Sequence, residues 1–370
     1  DMTRDQLIEK RRLKKQRKKI IIAGGAVAVV AAVGLAVRAF SNRPFVTKQK
    51  VTAETVETAH VEDVETDTAV RLAVSSEVTG DPGWNISGDS WYYLNDDGTV
   101  FADGWKTIEG QRYYFKSNGY MARNGWVNTG EVKDRYFGEC GRYDDTKYQK
   151  LVALTYDDGP SETSTAKVLD ALEKYGQKAT FFVVGIQAEY YDELVKREVE
   201  LGMEVGNHTW DHPWLNQISE DEVKKEIADN DELVERLTGY KMKIMRPTGG
   251  GISANLINAV DKPMIQWDVD TLDWETKDDE TTYQRIIDQV RDGSIILMHD
   301  LFKPAGNTAE RTIEKLLEMG YKCVTVSEMA EAYGYDLEAG GQYYTFYPEG
   351  NENNKTKAEG LLNPVAAWDE

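Results

Sequence analysis

Between residues 148 and 335, short apolar runs alternate with amphipathic segments, and this alternation constrains the fold more than any other feature of the 370-residue chain. The runs are "LVALTY" (151–156), "ATFFVVG" (179–185), "MEVGNH" (203–208), "KIMRP" (243–247), "MIQWDVD" (264–270), "SIILMHD" (294–300) and "YKCVTV" (321–326). Residues 162–175, 187–201, 219–238, 252–261, 281–291 and 308–319 carry helical patterns between them, and "SEDE" (219–222) reads as a capping-type helix start. Strands that alternate with helices pair in parallel and carry the helices outside. Seven such units within about 190 residues predict an α/β domain, a distorted and incomplete (β/α) barrel. Residues 336–370 are acidic and Gly/Asn-rich and are expected to form a tail, with "QYYTFY" (342–347) as the stretch in it able to pack.

The N-terminal part differs in kind. Residues 1–19 hold nine Lys/Arg against Asp1, Asp5 and Glu9, so the rest of the chain carries −26 against an overall formal charge of −20. So acidic a body has nothing with which to neutralise phosphates, which argues against a nucleic-acid partner. The basic tail runs into "IIIAGGAVAVVAAVGLAV" (20–37), a charge-free segment long enough as a helix to span roughly 27 Å. Length and flanking charge predict one membrane helix, with the N-terminus cytoplasmic and everything after Arg38 at the cell surface. The competing reading is a cleaved signal peptide, whose apolar region is normally shorter. Residues 38–82, dominated by Thr, Val, Glu and Ser, read as an extended stalk that includes a solvated His60. Cys140 and Cys323 could pair in an oxidising exterior or remain separate small hydrophobes.

From residue 83 to 141 Gly-Trp recurs at 83–84, 104–105 and 125–126, a strict 21-residue period, with "WYYLNDDG" (91–98) and "RYYFKSNG" (112–119) between. Aromatic runs broken by Asp-Gly and Asn-Gly predict stacked β-hairpins, since one such hairpin cannot bury its aromatic face alone. "RYFGECG" (135–141) reads as a degenerate last unit. The segment resembles choline-binding or glucan-binding cell-wall repeats. That resemblance implies that Trp84, Trp91, Trp105, Tyr113 and Trp126 hold choline by cation–π attraction or stack on sugar rings. The alternative is that these rings only pack the hairpins together.

Three of the chain's four histidines fall where expected strands of the α/β domain end. "TYDDGP" puts Asp157 and Asp158 at the end of the first strand, and "NHTWDHP" puts His208 and His212 at the end of the third. "RPTGGG" supplies Arg246, "DTLDW" supplies Asp273 and Trp274, and "LMH" supplies His299. Strand ends are where such domains gather their chemistry. His208 and His212, four apart, could face one ion from a helical turn or a tight loop, with a carboxylate of the Asp pair as third ligand. Two imidazoles and one carboxylate suit a catalytic divalent metal, zinc first, with cobalt, nickel or manganese acceptable. The other Asp is then a candidate general base, His299 a candidate acid supported by Asp273, and Arg246 a compensating cation.

"TYDDGP", "HTWDHP", "RPTGGG", "DTLDW" and "LMH" also resemble, in order, the five motifs of the polysaccharide deacetylases, the NodB-homology or carbohydrate esterase 4 family. The resemblance covers about residues 148–330. It implies that Asp157 is the catalytic base, oriented by Arg246, and that Asp158, His208 and His212 hold the metal. It implies further that His299 is the acid, tuned by Asp273, with Trp274 and Leu297 lining an acetyl groove. Tyr156 stands where Phe is commoner. Thr248 and Gly249 replace a Pro and an aromatic residue, so Gly249 keeps a backbone oxyanion donor while an aromatic groove wall is lost. The expected activity is removal of acetyl groups from N-acetylglucosamine units of a cell-wall glycan, peptidoglycan first. Poly-N-acetylglucosamine, chitin-like chains and acetylated xylan are alternative substrates, and a non-catalytic wall-binding protein is the alternative class.

Overall fold

A computed structural model describes residues 80–348. The expected basic tail, membrane helix and nearly all of the stalk lie outside the described residues, as does the end of the acidic tail. Among the described residues no helix is long and apolar enough to cross a membrane.

Residues 83–137 form three antiparallel hairpins: β1 (Gly83–Ser87) with β2 (Ser90–Leu94), β3 (Gly104–Ile108) with β4 (Gln111–Phe115), and β5 (Gly125–Val127) with β6 (Arg135–Phe137). The registers repeat, Trp84 facing Tyr93, Trp105 facing Tyr114 and Trp126 facing Tyr136. Tight turns at Gly88 and at Glu109–Gly110, all with positive φ, close the first two hairpins. The Asp-Gly and Asn-Gly turns instead connect one unit to the next, with Gly98 N–H donating to Asn95 O and Gly119 N–H to Lys116 O. Units stack through their rings: Trp84 lies 4.9 Å from Tyr113 and 5.8 Å from Phe115, and Trp105 lies 5.5 Å from Phe137.

The α/β part is built on a parallel sheet. Its strands are β7 (Lys150–Asp157), β8 (Thr180–Val183), β9 (Glu204–Asn207), β11 (Val269–Asp270), β12 (Ser294–His299) and β13 (Tyr321–Cys323), in the order β11–β12–β7–β8–β9, with β13 on the N-terminal half of β7. The expected strand 243–247 contributes single-residue bridges through Met245, to Asn207 on one side and to Met264 on the other. The expected strand 264–270 divides into β10 (Met264–Ile265) and β11. Pro247 and the turn after it explain the brevity of the first, because proline ends ladder pairing.

Alternation along the strands assigns the two faces. Val152, Leu154 and Tyr156 of β7 and Ile296 and Met298 of β12 belong to the core beneath the helices. Leu151, Ala153 and Ile295 belong to a second core on the other face. Thr155, Asp157, Leu297 and His299 continue that second face toward the strands' C-terminal ends, so its column turns from apolar to polar there. Helices cover the first face. In α1 (Thr165–Lys174) Val168, Leu169 and Leu172 are buried, and in α8 (Lys303–Glu318) Ala305, Ala309, Ile313 and Leu316 are buried at three- and four-residue spacing. The intervening helices are α2 (Gly185–Tyr190), α3 (Asp192–Glu200), α4 (Glu220–Thr238), α5 (Ala254–Ala259), α6 (Asp273–Thr276) and α7 (Asp279–Gln289), and α9 (Val326–Ala332) follows β13. Helix α4 starts on the capping box expected of "SEDE", where Glu222 accepts from Ser219 N–H at 2.9 Å.

Two expectations need correcting. Residues 336–348 are not a free tail: β14 (Gln342–Tyr343) pairs with β10, Thr345 bridges to Ser294, and Tyr343 and Phe346 sit in the second core. The physical reason is that the segment gains backbone pairing with β10 and buries two aromatic rings in this core. Tyr113, taken as a ligand-facing ring, is buried with Phe115 and Met121 instead. Among the described residues, Cys140 is exposed, Cys323 is buried and both are free.

If residues 342–346 belong to the core, Phe346→Ala should lower unfolding stability by about 3–5 kcal/mol, measured by denaturant titration. A loss below about 0.5 kcal/mol would return the segment to the tail.

Candidate active site

The candidate site is assembled on the C-terminal ends of the sheet. Asp157 ends β7 and is paired in register with His299 of β12. Arg246, wholly buried, donates from Nη1 to Asp157 Oδ1 at 2.7 Å and to Thr155 Oγ1 at 2.8 Å. Its Nε and Nη2 donate to the carbonyls of Ile265 and Gln266, both at 3.0 Å. All the hydrogen-bonding groups of the guanidinium are therefore turned into protein, and one oxygen of Asp157 is spoken for. The other, Oδ2, lies 3.6 Å from His208 Nε2.

His208 and His212 are presented by a loop, not by a helical turn. Thr209 and His212 have φ of 67° and 63°, and Asp158 has 68°, a region that non-glycine residues seldom occupy. Strain of about 1–3 kcal/mol at such positions persists only where surrounding contacts fix them. Here Asn207 Oδ1 accepts from Thr209 N–H at 2.7 Å, and Asn230 Nδ2 donates to Thr209 O at 2.9 Å. Glu226 Oε2 accepts from Trp210 N–H at 2.9 Å and from Asp211 N–H at 3.1 Å, and Thr209 Oγ1 accepts from His212 N–H.

Asp158, His208 and His212 each turn a ligand atom into one space, all within 4.8 Å of one another. Asp158 Oδ1 is 3.5 Å from His208 Nε2 and 3.3 Å from His212 Nε2, yet it is buried and lacks a hydrogen-bond partner. The tautomer of His208 follows from its other nitrogen. Nδ1 is 2.7 Å from the carbonyl oxygen of Arg246, which can only accept, so Nδ1 carries a hydrogen and Nε2 of the neutral ring presents a lone pair to Asp158. Lone pairs converging on an unpartnered carboxylate oxygen leave a place for a cation, and fixing a ligand imidazole through its second nitrogen is how metal sites orient such ligands. The residues fit a divalent ion. Burial alone would raise the Asp158 carboxyl, but the adjacent His208, with His299 and His212 nearby, holds it well below the usual range. Burial above all pushes His212 down, which favours its neutral ring.

Across the cluster, Asp273 is fully buried and accepts twice from His299, from the backbone N–H at 2.7 Å and from Nδ1 at 2.8 Å. Burial alone would lower the His299 pKa. The hydrogen bond and charge of Asp273, with those of Asp157 and Asp158, raise it to about 9. Nε2 of a protonated His299 is thus a proton donor at neutral pH, beside a carboxylate that can accept one.

Gly249 lies in a short 3-10 turn with φ of 59°, Leu297 is buried two residues before His299, and Trp274 is 46% exposed directly after Asp273. The repeat residues form no common site with these. Trp84 and Trp91, each 37% exposed, present ring surface to solvent, whereas Arg112 stands 4.2 Å over the Trp105 ring and Trp126 packs on Tyr136. Sequence reasoning missed Thr155 and the backbone carbonyls that hold Arg246. It also missed Asp300, buried next to His299, which accepts from Thr165 and is pushed up to about 7 by burial. Trp214, immediately beyond "HTWDHP", was missed as well, although a tryptophan next to two candidate ligands was the available signal.

Comparison with known proteins agrees with this geometry. The family profile for polysaccharide deacetylase matches residues 144–266, the choline-binding repeat matches 102–141, and the putative cell wall binding repeat matches 83–99. The chain is 41% identical over 183 residues to the peptidoglycan-N-acetylmuramic acid deacetylase PdaC of Bacillus subtilis, a match over half of this chain and 39% of that protein. It therefore spans well under half the length of that relative. A peptidoglycan-N-acetylglucosamine deacetylase of Bacillus cereus is 34% identical over 216 residues, covering 56% of this chain and 76% of the relative. In three dimensions a family 4 acetyl xylan esterase from Clostridium thermocellum, solved in complex with a cobalt ion, superposes with a TM-score of 0.51 at 35% identity, over 53% of this chain and 98% of the esterase. With ordered motifs at the strand ends, a shared α/β fold and a relative covered over three quarters of its length, the chain belongs to the polysaccharide deacetylase family.

Proposed function

We propose that this protein is a metal-dependent hydrolase that removes acetyl groups from N-acetylglucosamine units of peptidoglycan. The observation that carries the reading is the convergence of Asp158, His208 and His212 beside an Arg246-held Asp157. Asp158, His208 and His212 would hold one divalent ion, zinc first and cobalt, nickel or manganese as substitutes. Such an ion supplies Lewis acidity, lowering the pKa of water and polarising an amide carbonyl.

The protein's own groups then divide the proton work. Asp157, oriented by Arg246, accepts a proton from the attacking water. The bond from that oxygen to the acetyl carbon forms, the C–N bond breaks, and His299 gives its proton to the departing amine. The products are acetate and a glucosamine unit. Asp273 keeps His299 charged until that step. Gly249 would offer its backbone N–H to the developing oxyanion, and Trp274 and Leu297 would bound the acetyl group. The sheet, continued through bridges at Met245 to β10, would form the wall of an incomplete barrel around these residues.

The N-terminal apolar run supports a single-pass membrane anchor with the catalytic part outside, held off by the stalk within reach of the wall. The repeats would add wall affinity. Lys106 stands 4.7 Å over Tyr93 and 4.5 Å over Phe101, and Arg112 covers Trp105, so the chain's own cations occupy ring faces that a quaternary ammonium would need. This favours sugar stacking on Trp84 and Trp91 over choline capture.

Three outcomes are expected. Zinc-loaded protein should release acetate from peptidoglycan and from N-acetylglucosamine oligomers, chelation should abolish the release, and Asp157→Asn should reduce it at least about 100-fold. No release from either substrate, with metal bound, would overturn the assignment. The acid must be protonated, so activity falls as pH rises through the His299 pKa of about 9. Asp273→Asn removes the carboxylate that raises this pKa, so the alkaline limb of the kcat profile should move to lower pH, toward the ordinary histidine value of about 6.5; an unmoved limb would detach His299 from the proton transfer. For the repeats, Trp84→Ala should weaken sedimentation with purified cell walls, while free choline should not release the wild-type protein. Choline-induced release would restore the cation-binding alternative.

A further inference from the structure

Trp214 follows His212 by two residues, and at 57% exposure it is the most exposed large apolar side chain among the described residues. Leaving an indole in water forgoes the stabilisation that burying it would give. Its position is nevertheless fixed. Thr248 Oγ1 donates to the carbonyl of Pro213 at 2.5 Å, which ties the loop carrying Trp214 to the turn at 248–250. The indole itself lies against Gly249: a Cβ there would fall 2.5 Å from Cζ3 and 2.9 Å from Cη2 of the ring. Only a glycine allows that approach, and its φ of 59° is one that glycine adopts without strain. A flat apolar surface is thus held by its edge beside the candidate ligands, with much of the ring left to solvent. Apart from Trp274, which the deacetylase reading places against the acetyl group, the side chains around the site are carboxylates, imidazoles and buried strand residues. They bind charge and protons, and they offer no broad surface for the apolar C–H face of a pyranose. An aromatic ring supplies that surface at little conformational cost.

We propose that Trp214 is a substrate-binding wall of the groove, stacking on a sugar ring of the glycan whose acetamide lies at Asp157 and Asp158, and that Gly249 exists at its position to admit the indole. This rests on the deacetylase reading above.

The test uses the full chain, zinc-loaded, and an N-acetylglucosamine pentamer, with Trp214→Ala, Trp214→Leu and Trp214→Phe. Trp214→Ala and Trp214→Leu should raise KM about tenfold and change kcat less than about threefold, while Trp214→Phe should recover most of the loss. A purely structural role would lower the melting temperature and kcat without this split, or would be satisfied by leucine. Unchanged KM in Trp214→Ala, or full function in Trp214→Leu, would overturn the proposal. Should the wild type release no acetate from the pentamer or from peptidoglycan, the deacetylase reading fails by itself, and calorimetric binding of the same pentamer decides the wall. Weaker binding by Trp214→Ala than by the wild type would uphold it. Equal binding, or no wild-type binding, would overturn it.

Discussion

A fully buried arginine fixes the geometry on which everything else at this site depends. The Arg246 guanidinium lies 4.3 Å over the Phe182 ring and donates to Asp157, Thr155, Ile265 and Gln266, linking β7, β8 and the β10 segment. Its backbone carbonyl accepts from His208 Nδ1. One residue therefore orients a carboxylate through its side chain and an imidazole through its main chain. Truncating a buried ion-pair partner typically costs about 3–5 kcal/mol, because the remaining charge is left without compensation. At Arg246 the cost would fall on the site as well as on the fold.

Around that pair the charges interlock. Asp157 and Asp158 are consecutive, and two adjacent carboxylates stay ionised only where cations offset their repulsion. Arg246 offsets one. The space bounded by Asp158, His208 and His212 offers a place for the second, and the unpartnered Asp158 oxygen lies within it. On the far side, Asp273 holds His299 in one orientation and favours its charged form. The strained loop that carries the two histidines is held by Asn207, Asn230 and Glu226, none of which reaches the cluster's centre.

Much of this was legible in the sequence, and for physical reasons. Apolar runs bounded by helical patterns located four of the seven expected strands within a residue or two, and the start of a fifth at Tyr321, because strand-helix alternation leaves period and length signals together. The polar residues closing those runs marked the site, since side chains at strand ends are free to be polar. Two strands were misjudged. "KIMRP" is too short and too constrained by Pro247 to form a ladder, and the run 264–270 breaks in two. The aromatic run "QYYTFY" marked Tyr343 and Phe346 as able to pack, but where they pack was hidden, because a segment rich in Gly and acidic residues carries no periodicity and its packing is set by long-range contacts with β10. Arg246's anchoring carbonyls were illegible for a different reason: backbone groups carry no residue signature. The Gly249–Trp214 contact joins two motifs that the sequence keeps 35 positions apart, so Gly249 looked like a local departure and Trp214 went unnoticed.

The central claim is that the Asp158–His208–His212 cluster is a divalent metal site, and equilibrium zinc binding to the purified chain tests it most directly. The account predicts one zinc per chain, with the stoichiometric site lost in His208→Ala and in Asp158→Ala and retained in Trp214→Ala. Absence of stoichiometric binding by the wild-type protein, or binding unchanged when His208 is removed, would contradict it.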